Sequence, residues 1–277
     1  MTSDTGGDAA AQTAAGPGGP ADSYPVTAHD GTPLGRVPRT SQAEAHRAVR
    51  AARTAARDWA RRPAGQRAQV LDRIADALRA RRARLVQEVV DADGVTRDLA
   101  ERLVATAADR WTHYAERIAE GACAGREPLG VAAIVAPPFG PLLGLVSLLA
   151  PVVAGGNAAV VAVSERAPLP ALTLAEALAE AELPDGLVAL LTGATADLAP
   201  LLAAHPDIDA VDLTGAGEAA PELAERAVGK RVLRPEGRID WFADPGTDRL
   251  TAFVRPAGWP AAPGATAAPT PGSTAPG

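Results

Sequence analysis

Thiols and imidazoles, the side chains most often used as nucleophile and base near neutral pH, are few in this sequence. Cys123 is its one thiol, and a thiolate acts as a nucleophile only beside a base or a cation. His29, His46, His113 and His205 are scattered, and their spacing supports neither a catalytic pair with Cys123 nor a metal site. A lone small thiol between two elements is ordinarily structural, so Cys123 is read as non-catalytic. Gly215-Ala216-Gly217-Glu218-Ala219-Ala220 has the loose G-x-G-x-x-A form of a dinucleotide-binding loop, set between a strand and a helix. In a glycine- and alanine-rich chain the simpler reading is a tight turn with close helix packing. Twelve arginines crowd the stretch from Ser41 to Arg84 against Glu44, Asp58, Asp72 and Asp76. They fall opposite apolar stripes with no aromatic residues between them, as solvated helix faces do and nucleic-acid surfaces do not. The net charge of −6 argues the same way.

The elements that must position these residues are clearest between Arg126 and Pro168. Val131 to Val135 is a short apolar run closed by Pro137 and Pro138, which predicts a buried parallel strand. Pro141 suits a first helical turn, and Leu142, Leu143, Val146 and Leu149 recur at helical spacing. Gly155-Gly156-Asn157 stops that helix, and Ala158 to Val163 returns to the strand pattern. The result is a βαβ unit, whose parallel strands need helices on both faces of the sheet. Upstream, His29-Asp30-Gly31-Thr32 is a turn between two extended segments, and Ser41 with Glu44 forms a capping box. The helix it opens turns Ala45, Val49, Ala52, Ala56 and Trp59 inward. Pro63 opens a second helix carrying Leu71, Ile74, Leu78, Leu85 and Val89, and Thr96 caps a third carrying Leu99, Leu103, Trp111, Tyr114 and Ile118. Downstream, helices over 169–181, 197–204 and 221–228 alternate with strands over 187–191, 210–213 and 230–233.

The stretch REPLGVAAIVAPPFGP, followed by APVVAGGNAAVVAVSE, closely resembles the cofactor-binding domain of the aldehyde dehydrogenase superfamily. That family reads EPLGVVGVITPWNFP and then APALAAGNTVVLKPSE. Leu183-Pro184-Asp185-Gly186 resembles the family's GLPPG, His205-Pro206-Asp207 is a further match, and Leu213-Thr214-Gly215-Ala216 resembles FTGS. The resemblance covers Val26 to Leu250. It implies an α/β fold with a doubly wound parallel sheet, preceded by a layer of N-terminal helices. It also implies a cofactor-binding domain over 23–254, flanked by disordered tails over 1–22 and 255–277. The implied cofactor is NAD or NADP, held weakly at Pro137, Ser164, Glu165, Thr214 and Gly215. Glu165 keeps the acid of KPSE, while Ala162 takes the place of its lysine.

The family's chemistry is missing from the matched positions. Phe139 stands for the asparagine that donates to the oxyanion, and Arg234 for the glutamate base of LELGGK; Glu236 could reach that role only by sliding the alignment. The family's nucleophile belongs to a domain beyond the last match. No catalytic residue and no metal site are therefore assigned. Three function classes stay open: a non-catalytic structural or regulatory subunit, an NAD(P)-dependent aldehyde oxidoreductase completed by a partner chain, and a nucleotide-binding module. The expected partner is a complete aldehyde dehydrogenase subunit within an oligomer, with no nucleic acid and no membrane. Only Gly121 to Gly125 stands where the family has a long subunit-exchanging hairpin. The competing expectation is that Leu250 to Trp259 folds back over the exposed apolar face. One cysteine and the absence of a basic-then-apolar leader predict a cytoplasmic protein.

Overall fold

The computed structural model describes residues 22–234, 237 and 239–258. Asp30 and Gly31 turn the chain between β1 (Ser23–Thr27) and β2 (Pro33–Pro38), an antiparallel hairpin. Asp22, expected in the N-terminal tail, already belongs to it, because its carbonyl accepts from the Arg39 amide at 2.6 Å. Ser41 caps α1 (Gln42–Arg61) through a full capping box with Glu44, and Ala45, Val49, Ala52, Ala56 and Trp59 form its buried stripe as predicted.

The helix expected from Pro63 divides at Arg81 into α2 (Ala64–Ala80) and α3 (Arg82–Asp93). Arg81 leaves helical geometry there at φ −93°, ψ 9°, and its guanidinium turns toward Glu176 and Glu180. The arginine-rich stretch is thus not all solvated surface. Arg84 bonds Glu176 with Nη1, Arg73 donates to the Ala181 carbonyl, and Arg67 is buried, donating to the Ala154 and Arg62 carbonyls. Long basic side chains that bury their stems staple the outer helices to the layer beneath. Gly94, in the left-handed region at φ 67°, ends α3. Thr96 then caps α4 (Arg97–Ala119), whose inner face runs through Ala100, Val104, Ala107, Trp111 and Tyr114, leaving Leu99 and Leu103 half-buried at its margin.

After a turn and the short β3 (Arg126–Pro128), the chain enters the sheet at β4 (Val131–Val135). It continues through α5 (Leu143–Ala154), β5 (Ala158–Ala162), α6 (Leu169–Glu180), β6 (Val188–Leu191), α7 (Thr195–Ala204), β7 (Ala210–Asp212), α8 (Ala220–Arg226) and β8 (Arg231–Leu233). All pairings are parallel, in the spatial order β6-β5-β4-β7-β8. The sheet is doubly wound, as expected. Every residue of β4, α5 and β5 is buried, which explains their unbroken apolar composition. Strand order reverses between β4 and β7, and such a switch point opens a crevice at the carboxyl ends of those strands.

The chain beyond β8 holds elements that the pattern did not predict. These are α9 (Asp248–Ala252) and β9 (Val254–Pro256), the latter antiparallel to β3. Leu250 and Phe253 are fully buried in the main core, beside α5 and the turn over 155–157, whereas Phe139, on the face that the fold-back was expected to cover, remains 66% exposed. Asn157 locks this segment: its amide donates to the Phe253 carbonyl at 3.0 Å while its oxygen accepts from the Gly130 amide at 2.9 Å. The boundary expected at residue 254 is therefore too early, since Arg255 and Pro256 complete β9. Residues 1–21 and 259–277 of the expected tails, with Glu236, lie outside the described residues. Among the described residues no helix is long and apolar enough to cross a membrane.

Candidate functional site

The crevice is built from three loops that follow β4, β5 and β7. Pro137 to Pro141 leaves β4, Val163 to Arg166 leaves β5, and Leu213 to Gly217 leaves β7. Gly215 binds the first loop to the third, because its amide donates to the Val135 carbonyl at 3.0 Å. A Cβ on Gly215 would run into the Ala136 carbonyl and lie 2.5 Å from the Pro137 nitrogen. Only glycine permits that backbone contact, which favours the close-packing reading of the Gly215–Ala220 pattern over a phosphate loop. Arg166 joins the second loop to the first by donating to the Pro138 carbonyl at 3.1 Å and pairing with Asp93, whose other oxygen accepts from the Gly140 amide.

Four of the five sequence-derived cofactor residues come together here. Pro137 is buried against the Gly215 turn. Ser164 is buried, and its hydroxyl has no hydrogen-bond partner among the described residues. Thr214 donates both its amide, at 3.0 Å, and its hydroxyl to Asp212. Glu165 sits at the margin instead, paired with Arg39 at 3.3 Å, and that guanidinium also stacks on Tyr24. The Tyr24 hydroxyl is pushed up to about 12, by burial first and by the Glu165 charge second. Ala162, in the lysine's place, is fully buried at the end of β5 and presents no polar group.

The positions that carry the family's chemistry look different. Phe139 is 66% exposed, with the Arg166 guanidinium 4.5 Å above its ring. Arg234 is exposed just past β8. Cys123 lies at the opposite end of the sheet, beside Arg67, which reaches the α5–β5 turn through the Ala154 carbonyl. Burial pushes its thiol up, and the Arg67 and Arg126 charges only partly offset that, so the thiol form is favoured. His205 packs at 5.0 Å against the tilted ring of His46 and accepts at Nδ1 from the Asp207 amide. Among the described residues no three His, Cys, Asp or Glu side chains converge as a metal site would require.

Sequence reasoning missed Asp212, Arg249 and Trp241. Asp212 is wholly buried at the carboxyl end of β7, where Arg249 meets it at 2.7 Å and also donates to the Thr214 hydroxyl at 3.2 Å. The signal was a carboxylate inside an apolar strand, which demands a cation or several donors. Trp241 lies over the first turn of α5, with ring atoms 3.4 and 3.5 Å from the place of a Cβ on Gly144. Arg110, buried on α4, holds the carbonyls of Trp241 and Ala243 at 2.5 and 2.6 Å. As a ligand site the crevice fits a dinucleotide in part. The unpartnered Ser164 hydroxyl suits one, whereas the end of β5 offers no cation, and Trp241 and Arg249 take up room.

Comparison with known proteins agrees with this geometry. Residues 21–236 match the model of the aldehyde dehydrogenase family. The chain is 32% identical over 217 residues to the NADP/NAD-dependent aldehyde dehydrogenase PuuC of Escherichia coli, covering 73% of itself and 44% of that protein. It is 33% identical over 213 residues to betaine aldehyde dehydrogenase 2 of Rhizobium meliloti, covering 72% and 44%. HpcC from Thermus thermophilus superposes with a TM-score of 0.72 at 29% identity over 76% of this chain and 44% of that one. The NADP-dependent glyceraldehyde-3-phosphate dehydrogenase of Bacillus halodurans, solved with NADP, gives 0.71 at 26% identity over 76% and 48%. The chain therefore spans less than half the length of the relatives it matches. By its sequence over residues 21–236, the chain belongs to the aldehyde dehydrogenase family.

Proposed function

We propose that this chain is a non-catalytic member of its family, acting as a structural or regulatory subunit that retains a weak NAD or NADP site. The observation that carries the proposal is the pair Phe139 and Arg234. A phenyl ring donates no hydrogen bond, and a guanidinium stays protonated and cannot act as a base. Losing one oxyanion donor costs roughly 10²- to 10³-fold in turnover. The one thiol is at the wrong end of the sheet and favours its unreactive form. The weak cofactor site comprises Pro137, Ser164, Glu165, Thr214 and Gly215. Its partner would be a complete aldehyde dehydrogenase subunit, and the exposure of Phe139 and Phe242 supports a contact surface near the crevice.

The purified chain is expected to form no NADH with any aldehyde; saturable NADH production abolished by Cys123→Ser would overturn the reading. Calorimetric titration with NAD and NADP tests the cofactor site. Glu165→Ala should weaken binding and Ala162→Lys tighten it, each by about tenfold or more, the worth of one charge-assisted hydrogen bond. The alternative is an NAD(P)-dependent aldehyde oxidoreductase whose missing groups come from a partner chain. It rests on the preserved Thr214-Gly215 turn, and turnover by a reconstituted mixture that fails when Gly215 is changed would favour it.

A further inference from the structure

The chain between Asp240 and Arg249 lies in the crevice at the carboxyl ends of β4 and β7, and we infer that it is a latch that must lift before a dinucleotide can enter. This rests on the cofactor site proposed above and assigns that site its regulation. Trp241 covers the first turn of α5 beside Pro137, and Gly140 lies beneath the same indole, 3.7 Å from it measured from the place of a Cβ. Arg249 covers the other wall, with one nitrogen on Asp212 and the other on the Thr214 hydroxyl. Between these points the latch is held from α4. Arg110 grips two of its carbonyls, and His113 Nε2 is 3.2 Å from the Gly246 carbonyl. Two walls that would face the ligand are thus covered by the same ten residues.

The latch differs in kind from the segment that follows it. No residue from 240 to 249 is fully buried, and Phe242 is 46% exposed. Leu250, Phe253 and Val254, by contrast, are core residues, and β9 is pinned to β3. A stretch held by contacts to carbonyls, the packing of one indole and one ion pair, next to a firmly packed anchor, opens at lower cost than the domain unfolds. Gly246, at φ +53°, supplies a backbone position that can absorb the motion. Apparent affinity then scales with the open fraction of the latch, so any partner that draws the latch aside switches the site on.

The test is the full chain carrying Trp241→Ala with Asp212→Ala and Arg249→Ala, which removes both charges together and leaves neither unpaired. Trp241→Ala alone serves if the triple variant does not fold by circular dichroism. Each is titrated with NAD and with NADP, and amide hydrogen exchange is followed at 136–144 and 213–217. The inference expects at least about tenfold tighter binding than the native chain, with faster exchange in both loops. Equal, measurable affinity in native and variant chains overturns the latch and leaves the cofactor site standing. No binding by either chain, with faster loop exchange in the variant, sustains the latch and removes the cofactor site. No binding and unchanged exchange refutes the latch.

Discussion

Replacing Arg249 with alanine isolates the ion pair that joins the chain beyond β8 to the sheet. Asp212 is fully buried and meets Arg249 at 2.7 Å, while the Arg249 side chain keeps 21% of its exposure. Removing the guanidinium strands a carboxylate inside the protein, a change that costs about 3–5 kcal/mol. Thr214 still supplies two donors to the other carboxylate oxygen, which places the expected loss near the lower bound, about 3 kcal/mol. For a chain of this size that lowers the melting temperature by roughly 6–12 °C. Asp212→Ala should cost less, because a partly exposed guanidinium can swing into water. Adding Arg249→Ala to it should then cost little more, giving a coupling of about 2 kcal/mol in a double-mutant cycle. Urea unfolding of the four chains measures this directly. A loss below about 1 kcal/mol for Arg249→Ala, or an equal loss in both backgrounds, would show that the pair behaves as a surface contact and refute the reasoning.

Other outcomes follow from single features. Burial holds the His205 pKa below its usual value of 6.5, with the His46, Lys230 and Arg50 charges acting in the same direction and Asp207 opposing them. The unfolded chain therefore takes up a proton near pH 6.5 that the folded chain resists. Stability should be full above that pH and fall as the pH drops toward the depressed value. His205→Asn keeps an acceptor for the Asp207 amide, and urea midpoints between about pH 5 and 8 should lose part of this dependence; identical curves would exclude His205 as the source. Cys123 should react with a thiol reagent at neutral pH much more slowly than free cysteine and recover on unfolding, and a fast folded-state reaction would contradict its burial. Gly215→Ala should cost about 1–3 kcal/mol, because backbone at Ala136 and Pro137 cannot retreat as a side chain would; an unchanged melting temperature would mean that the two loops are not in register.

The parallel sheet was legible because its strands are buried on both sides, which leaves runs such as Val131–Val135 and Ala158–Ala162 with no polar interruption. The capping box at Ser41 and the inward stripe of α1 were legible for a similar reason, as local chemistry with one spacing. The break at Arg81 was not, since it depends on glutamates on α6 almost a hundred residues away. The same holds for the crevice. Pro137, Ser164, Thr214 and Gly215 lie on the strand ends that family motifs mark, but Glu165 is turned to Arg39 by the N-terminal hairpin. Arg249 and Trp241 follow the last motif, in polar sequence with no periodicity, and their positions depend wholly on tertiary contacts with Asp212, Arg110 and the first turn of α5.

The pairing of β3 with β9 also orders events in time. It joins residues 126–128 to residues 254–256, a loop of nearly half the sequence, and pairings that distant are slow to form. During synthesis the five sheet strands leave the ribosome before Leu250 and Phe253 do. The flank of α5 they cover then stays open to water, next to the all-apolar Leu143–Ala154 helix. A nascent chain paused at that stage presents greasy surface to its neighbours, the condition under which chaperones are recruited or aggregates begin. β9 therefore seals a flank that the sheet itself leaves open, and a chain lacking residues 250–256 would have its five-stranded sheet complete and its side unsealed.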